Sequence, residues 1–288
     1  MHKIIILKNY KQEIFSHILR FLILTFAIST FTYADEIVTL NTRNNVTQTF
    51  LLLEPEKEIK GVVIMFPGHE GVIRISKSSF GQFNVYNEGG GFTVSKKTRK
   101  IYKKNGLAVA LIAPPSDRQY GMDTEFRSSN EHLEDIKIVI NYLQKKYNKD
   151  PYLHGHCRGS FSPASIVTKL RNIGVSGLIL SSARSRGRHG AVTDYESNVV
   201  SVPVLLIQHK NDLCKGTPYR KLDAVIEFYQ TSSDTVDTIV IEGGNTKPKK
   251  NGRVCQNGAH SFKGLQKETA QEVANWILGK QFKTSISD

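Results

Sequence analysis

The chain has 288 residues, of which 39% are hydrophobic and 23% are charged, and its formal net charge at pH 7 is +13. This composition predicts one globular domain of about 250 residues with a sizeable core. The sequence shows no internal repeat and no low-complexity tract. A basic chain can bind nucleic acid, but here the basic residues are scattered and form no aromatic-rich basic motif, which argues against nucleic-acid binding.

The N-terminal segment has the pattern of a secretory signal. Basic residues come first, an apolar stretch follows from Phe21 to Phe31, and Thr32-Tyr33-Ala34 resembles a small-x-small cleavage site. We expect a signal peptide at residues 1–34 and a single mature domain at residues 35–288, in the periplasm or outside the cell. An uncleaved anchor is the alternative, but the apolar run is short for a membrane span. No later stretch is long and apolar enough to cross a bilayer.

The rest of the chain alternates between predicted strands and helices. Strands are predicted at 36–42 and 47–53, and these two are expected to form a hairpin. Further strands are predicted at 61–66, 107–113, 151–154, 175–181, 202–207 and 237–241, and the strand at 237–241 is expected to be the last in the chain. Helices are predicted at 92–104, 160–171 and 265–278. Two more are predicted from their first residues: one begins at a Ser128/Glu131 capping box and runs to Tyr147, and one begins after Thr217-Pro218. Residues 72–91 are polar and are predicted to form a long loop. The alternation predicts an α/β fold with a mostly parallel sheet, helices on both faces and little room for a cap domain.

One turn has the pattern of a nucleophile turn between a strand and a helix. The apolar run that ends at His154 leads into Gly155-His156-Cys157-Arg158-Gly159, and helix-compatible residues follow. A residue at the apex of such a turn needs a strained backbone, and a Cβ on either flanking glycine would collide with the turn. The helix that begins there directs unpaired N–H groups at the apex, which favours a thiolate and a developing oxyanion.

This turn resembles the nucleophile elbow of the α/β-hydrolase superfamily, with Gly-x-Cys-x-Gly in place of Gly-x-Ser-x-Gly. The cysteine form resembles the dienelactone-hydrolase branch. The neighbouring residues, the Pro114–Arg118 turn and the Phe126-Arg127-Ser128 step resemble a group of uncharacterised bacterial exported α/β-hydrolases. The resemblance covers about residues 36–282 and implies an α/β-hydrolase fold without a large cap domain.

The resemblance also implies a catalytic triad, because the superfamily orders its nucleophile, acid and histidine in that sequence. Cys157, Asp212 and His260 follow this order, each near the end of a predicted strand. Asp194 is a weaker candidate for the acid because it lies well past its strand. The backbone N–H groups of His69 and Arg158 are the expected oxyanion donors.

The roles of the arginines near these strand ends are each open to two interpretations. Arg184, Arg186 and Arg188 follow a strand at the edge where substrates enter, so they could bind an anionic group or form a solvated basic loop. Asp117, Arg118 and Arg127 are expected to form a buried salt-bridge network beneath the site, with substrate contact as the alternative.

The three cysteines predict one disulfide and one free thiol. Cys214 lies two residues after the proposed acid and Cys255 five before the proposed base, so contact between Asp212 and His260 would bring the two cysteines together. An exported chain meets an oxidising environment. We therefore expect a Cys214–Cys255 disulfide and a free Cys157.

The function expected from these residues is hydrolysis of a small-molecule carboxylic ester, thioester or lactone. No cofactor is expected, and no Cys, His or carboxylate cluster has a metal-binding spacing. Two alternatives stay open: an inactive binding protein with the same fold, and a peptidase of the related serine-peptidase branch. The missing cap and the thiol argue against the peptidase, while the intact Asp212 and His260 argue against a decayed site.

Overall fold

The computed structural model describes residues 35–79, 82–87, 91–171, 174–187, 190–196, 198–247, 255 and 258–288. The predicted signal peptide lies outside these residues. The strands are β1 Glu36–Arg43, β2 Val46–Leu53, β3 Gly61–Phe66, β4 Ile73–Lys77, β5 Phe83–Asn87, β6 Leu107–Ile112, β7 Tyr152–His156, β8 Gly177–Ser181, β9 Val204–His209, β10 Val236–Ile241 and β11 Ser285–Ile286. The helices are α1 Lys96–Lys104, α2 Thr124–Arg127, α3 Asn130–Tyr147, α4 Phe161–Leu170, α5 Leu222–Gln230 and α6 Gln266–Ile277.

The central sheet has nine strands in the order β1-β2-β6-β3-β7-β8-β9-β10-β11. Strand β2 pairs antiparallel with β1 and with β6, and every other pair in the sheet is parallel. The continuous apolar runs of β3 and β6 are buried at every position, as expected of strands covered on both faces. The mostly parallel sheet predicted from the sequence is confirmed.

The core consists of two apolar layers, one on each face of the sheet. Alternate residues of a strand point to opposite faces, so Val62 and Ile64 enter one layer while Val63 and Met65 enter the other. Helices α3, α4 and α5 cover the first face, and α1 and α6 cover the second. The predicted arrangement of helices on both faces is therefore confirmed.

The segment predicted as a long loop at 72–91 contains an antiparallel hairpin instead. Strands β4 and β5 pair to form a separate two-stranded sheet. Ile73 is buried, and Ile75, Phe83 and Val85 pack partly against the core layer that contains Met65. Apolar residues alternate with polar ones along both strands, and this alternation favours a strand with one covered face.

Two predicted helix caps differ in the structure. Ser129 rather than Ser128 caps α3, because the Ser129 hydroxyl accepts the His132 N–H at 3.1 Å. Thr217 does not cap a helix, since its hydroxyl donates to the Asp212 carboxylate at 2.8 Å. A short 3-10 turn at Tyr219–Lys221 precedes α5.

The segments between strands contain no separate cap domain in the part of the chain that the structure describes. Strand β11 follows α6 and pairs in parallel with β10, so β10 is not the last strand as predicted. No helix among the described residues is long and apolar enough to span a membrane.

Candidate active site

Cys157 stands at the apex of the turn between β7 and α4, with a φ of 52°. A Cβ added at Gly155 would lie 2.5 Å from the Gly159 carbonyl oxygen, and one added at Gly159 would lie 2.5 Å from the Phe66 carbonyl oxygen. Contacts this short exclude any side chain at either position unless the backbone moves. The glycines therefore allow the strained apex, as the sequence predicts.

The Cys157 thiol is largely buried, with 9% of the residue exposed. Burial by itself favours the neutral thiol, but the charge and hydrogen bond of His260 and the Arg158 backbone N–H lower the pKa of Cys157 overall. The environment therefore favours a thiolate, which is the reactive form of a cysteine. The Arg158 backbone N–H hydrogen-bonds the sulfur.

His260 joins Cys157 to Asp212. Its Nδ1 atom lies 2.8 Å from Asp212 Oδ2, and its ring also hydrogen-bonds the Cys157 side chain. Burial alone would lower the pKa of His260, but the thiolate of Cys157 and the carboxylate of Asp212 together raise it. The three side chains therefore form one continuous hydrogen-bonded chain from nucleophile to base to acid.

Asp212 lies in the turn after β9 and is held as a carboxylate by several donors. Oδ1 accepts the Cys214 N–H at 2.9 Å, and Oδ2 accepts from Thr217 Oγ1 at 2.8 Å and from Gln208 Nε2 at 3.2 Å. Burial would raise its pKa, but the hydrogen bond and charge of His260, the Cys214 N–H and the Thr217 hydroxyl hold its pKa below the ordinary value. The alternative acid Asp194 instead accepts the Ala191 N–H at 2.7 Å.

The turn after β3 packs directly on the nucleophile. A Cβ at Gly68 would lie 3.2 Å from the Cys157 Cβ and 3.0 Å from the His156 carbonyl oxygen. His69 follows in the left-handed region, with a φ of 53°. The turn that contains His69 thus packs beside Cys157, at the end of an adjacent parallel strand.

The fully buried guanidinium of Arg127 holds the turn after β3 in place. Arg127 Nη2 donates to the carbonyl oxygens of Pro67 at 3.2 Å and His69 at 3.3 Å, Nη1 donates to Ser162 Oγ at 3.2 Å, and Nε donates to the Met122 carbonyl at 3.3 Å. Burial is the main reason why the pKa of Arg127 is lowered to about 10. Arg127 thus connects the turn after β3 to the helix that follows Cys157.

The predicted salt-bridge network of Asp117, Arg118 and Arg127 is not formed. Asp117 pairs with Arg43 at 3.1 Å near the surface, while the Arg118 guanidinium lies 4.9 Å from the centre of the Phe126 ring. Arg127 bonds only to neutral oxygens among its described hydrogen-bond partners. Three backbone carbonyls and one hydroxyl accept four of its five N–H groups, and the sequence cannot show these partners.

Two buried histidines form a polar chain behind the nucleophile that the sequence analysis missed. His154 Nδ1 lies 3.2 Å from the Tyr102 hydroxyl, and His154 Nε2 lies 3.1 Å from Ser181 Oγ. His156 Nδ1 lies 3.1 Å from the same Ser181 oxygen. The signal was present, because two polar residues at alternate positions of a buried strand must share one face.

Burial keeps both of these rings neutral: it lowers the pKa of His154 to about 3 and that of His156 well below its ordinary value. The His156 ring is packed 5.0 Å from the His260 ring, measured between ring centres. A neutral ring at that position adds no positive charge beside His260. Of these two adjacent rings, His260 is therefore the one that carries a positive charge beside the thiolate.

The predicted arginine group is divided by the structure. Arg184 is half-buried beside the site, where its positive charge contributes to the lowered pKa of Cys157. Arg186 is exposed. Arg188 lies outside the described residues.

A disulfide links Cys214 to Cys255, as predicted, and Cys157 is a free thiol. The bridge lies beside the acid, since the Cys214 N–H donates to Asp212. No group of three or more His, Cys, Asp or Glu side chains within the described ranges could hold a metal ion.

Several solved structures share the fold of this chain at low sequence identity. An α/β serine hydrolase homologue from Coxiella burnetii is 14% identical, with a TM-score of 0.52 over 87% of this chain and 99% of its own. An α/β serine hydrolase without a lid from Xanthomonas campestris is 13% identical, with a TM-score of 0.55 over 85% and 95%. A thermostable carboxyl esterase from Bacillus coagulans is 13% identical, with a TM-score of 0.57 over 85% and 98%.

No protein-family model matches the chain, and no curated protein matches it. At these identities the structural likeness shows the fold alone, and it extends over nearly the whole of each solved chain. Two of the three are named as serine hydrolases, whereas this chain has Cys157 at its nucleophile turn.

Proposed function

The chain has the α/β-hydrolase fold, and on that premise we propose that it hydrolyses carboxylic ester, thioester or lactone bonds with Cys157 as the nucleophile. The observation that carries this proposal is the buried hydrogen-bonded chain from Cys157 through His260 to Asp212. A purely structural cysteine in an apolar surrounding has a raised pKa, whereas the pKa of this thiol is lowered. The intact pairing favours an enzyme over an inactive binding protein.

The proposed reaction begins with attack of the Cys157 thiolate on the substrate carbonyl carbon. The carbonyl electrons move to the oxygen, which accepts hydrogen bonds from the N–H groups of Arg158 and His69. Each such donor contributes about 3–4 kcal/mol in comparable sites. The intermediate then collapses, the bond to the leaving group breaks, and the His260 imidazolium supplies the proton that the departing oxygen or sulfur takes.

The acyl group is then a thioester on Cys157. Neutral His260 removes a proton from water, the resulting hydroxide adds to the thioester carbonyl, and the thiolate departs as the carboxylic acid is released. Asp212 keeps His260 in the tautomer that presents Nε2 to the reacting atoms, because it accepts the Nδ1–H. Since a thiolate leaves more easily than an amine, amides are poorer substrates than esters here.

A panel of 4-nitrophenyl esters and lactones tests this proposal with the purified protein and its Cys157→Ala and Cys157→Ser variants. We expect hydrolysis by the native chain, none above background by the alanine variant, and residual activity at most in the serine variant. As a control for folding, Cys157→Ala should retain the Cys214–Cys255 bridge and an unchanged thermal unfolding transition. Equal turnover by the native chain and the alanine variant would exclude Cys157 as the nucleophile.

We also propose that the protein is exported and that residues 1–34 are removed as a signal peptide. The Cys214–Cys255 disulfide supports this, because such bridges persist in oxidising compartments. Mass spectrometry of the protein from its native host should find a chain that starts at or near Asp35. A full-length chain in the membrane fraction would contradict the proposal.

A further inference from the structure

The backbone of Arg184 is fixed relative to the nucleophile. The Arg184 N–H donates to Ser160 Oγ at 3.1 Å, and that hydroxyl donates to the Cys157 carbonyl at 2.6 Å. The Arg184 carbonyl accepts the Val192 N–H at 2.7 Å. Two hydrogen bonds in series therefore link the backbone of Arg184 to the backbone of Cys157.

The Arg184 guanidinium lies against Gly216. A Cβ added at Gly216 would be 2.1 Å from Arg184 Nη1 and 2.5 Å from Cζ, so only glycine leaves room for the guanidinium there. The Gly216 carbonyl also accepts the N–H groups of Ser185 at 3.0 Å and Arg186 at 3.2 Å. The loop that supplies Asp212 thus also forms one wall around the guanidinium.

No carboxylate among the described residues neutralises this guanidinium, and the negative charge that acts on it is the Cys157 thiolate. The Arg184 Nε atom is buried without a hydrogen-bond partner, and none of the described carboxylates forms a salt bridge with it. Arg158, the other arginine beside Cys157, is instead paired with Glu70. A partly buried cation without a carboxylate partner is costly, and a ligand carboxylate would supply both a negative charge and acceptors for the N–H groups.

We propose that Arg184 binds a carboxylate group on the substrate, so that the preferred substrates are esters, thioesters or lactones with a carboxylate near the scissile carbonyl. This inference rests on the proposed function and names its substrate class. A carboxylate fits better than a phosphate, because one unpaired guanidinium balances one negative charge. Exposed Arg186 has no part in the subsite.

Alkylation of Cys157 tests the subsite without a known substrate, because Cys157 is the one free thiol of the chain. Iodoacetate and iodoacetamide place the same reactive carbon on sulfur, but only iodoacetate has a carboxylate. We expect the ratio of their second-order rate constants to fall at least about tenfold, equivalent to about 1.4 kcal/mol, from the native chain to Arg184→Gln. The ratio cancels any change in thiolate fraction, since both reagents attack the same thiolate.

Two further variants separate a specific subsite from general charge. Arg220→Gln removes one exposed arginine outside the site and should leave the ratio within about twofold, because screened surface charges act weakly. Gly216→Ala keeps every charge but displaces the guanidinium, so it should lower the ratio as Arg184→Gln does.

An unchanged ratio in Arg184→Gln, or an equal fall in Arg220→Gln, would overturn the carboxylate subsite. Rapid alkylation by both reagents with no effect of Arg184→Gln would leave the proposed nucleophile standing and remove only the substrate class. Failure of both reagents to modify Cys157 in the folded native chain would contradict the proposed function itself, and the subsite with it.

Discussion

At the scale of single residues, the site combines a strained backbone with a stabilised charge. Cys157 has a positive φ, which a residue with a Cβ adopts at a cost of about 1–3 kcal/mol. The strain aligns the thiol with the His260 ring and the Arg158 N–H, both of which favour the thiolate. The lowered pKa of Cys157 and the raised pKa of His260 share a cause, which is the attraction between the two charged forms.

This pairing predicts the pH dependence of Cys157 alkylation. Because the pKa of the thiol is lowered, its thiolate persists on the acidic side of the range of an ordinary cysteine, whose pKa is about 8.5. Rates of iodoacetamide modification against pH should therefore have a midpoint on the acidic side of that of an ordinary cysteine in the native chain. His260→Ala should move the midpoint upward, because burial then acts without the opposing charge. A native midpoint at or above that of a free cysteine, or one that His260→Ala does not move, would contradict the ion pair.

Arg127 is expected to position the oxyanion turn rather than to touch substrate. Arg127→Met would leave the buried carbonyls of Pro67 and Met122 without this donor, each at a cost of about 1–3 kcal/mol, so the unfolding free energy should fall by at least about 2 kcal/mol. For the fraction of Arg127→Met molecules that remains folded, kcat for the best ester should fall by a larger factor than KM rises, since the oxyanion donors act in the transition state.

Arg127→Lys is the matched variant, because it keeps a positive charge but can satisfy fewer of these acceptors. Its kcat and its stability in urea unfolding should lie between those of the native chain and Arg127→Met. If Arg127→Met and Arg127→Lys both keep the native kcat while their stability falls, Arg127 stabilises the fold but does not position the oxyanion donors.

At the scale of elements, one loop between β9 and α5 carries several parts of the site. It holds Asp212, the Thr217 hydroxyl that donates to it, Gly216 beneath the Arg184 guanidinium, and the Cys214 end of the disulfide. Cys255 tethers this loop to the segment that leads to His260. The bridge therefore restrains the acid and the base relative to each other.

Removal of the bridge should weaken both stability and the acid–base pair. The two cysteines are 41 positions apart, and the chain-entropy estimate for a loop of about 40 residues is about 4 kcal/mol. In the double variant Cys214→Ala/Cys255→Ala, we expect a loss of up to this amount in urea unfolding and a lower kcat for ester hydrolysis. A variant with native stability and native kcat would show that the bridge restrains neither.

The sequence predicted the elements whose signals are local and missed those set by tertiary contact. The buried strands β3 and β6 and the glycines around Cys157 were predicted from residue types, whereas the order of Cys157, Asp212 and His260 came from the resemblance to the α/β-hydrolases. The hairpin of β4 and β5 was not recognised, although its alternation was present, because polar residues dominate the segment. The partners of Arg127 are backbone carbonyls, which no residue pattern reveals.

At the scale of the whole molecule, several buried imidazoles couple stability to pH. His132, His154 and His156 are buried and neutral, and burial lowers the pKa of each, to about 3 for His132 and His154. A histidine whose folded pKa is depressed leaves stability intact above its unfolded value, near 6.5, and stability is lost progressively as the pH falls from there toward the folded pKa. His260 acts in the opposite sense: its raised pKa adds stability that is fully present below about 6.5 and is lost as the pH rises through the folded value.

His132 offers the clearest test of this coupling, because it lies outside the catalytic chain. Its ring packs between Phe66 and Phe126, with ring centres 6.1 and 5.3 Å away, and neither ring nitrogen has a hydrogen-bond partner in the described parts of the chain. His132→Leu replaces two desolvated nitrogens with a side chain of similar volume. At pH 7.5, where His132 is neutral in both states, the variant should be at least as stable as the native chain. Below pH 6 its unfolding free energy should fall less steeply, by up to about 1.4 kcal/mol per pH unit, the contribution of one proton. Urea unfolding of both proteins from pH 7.5 to 4.5 measures the two slopes, and equal slopes would mean that His132 takes up its proton in the folded state.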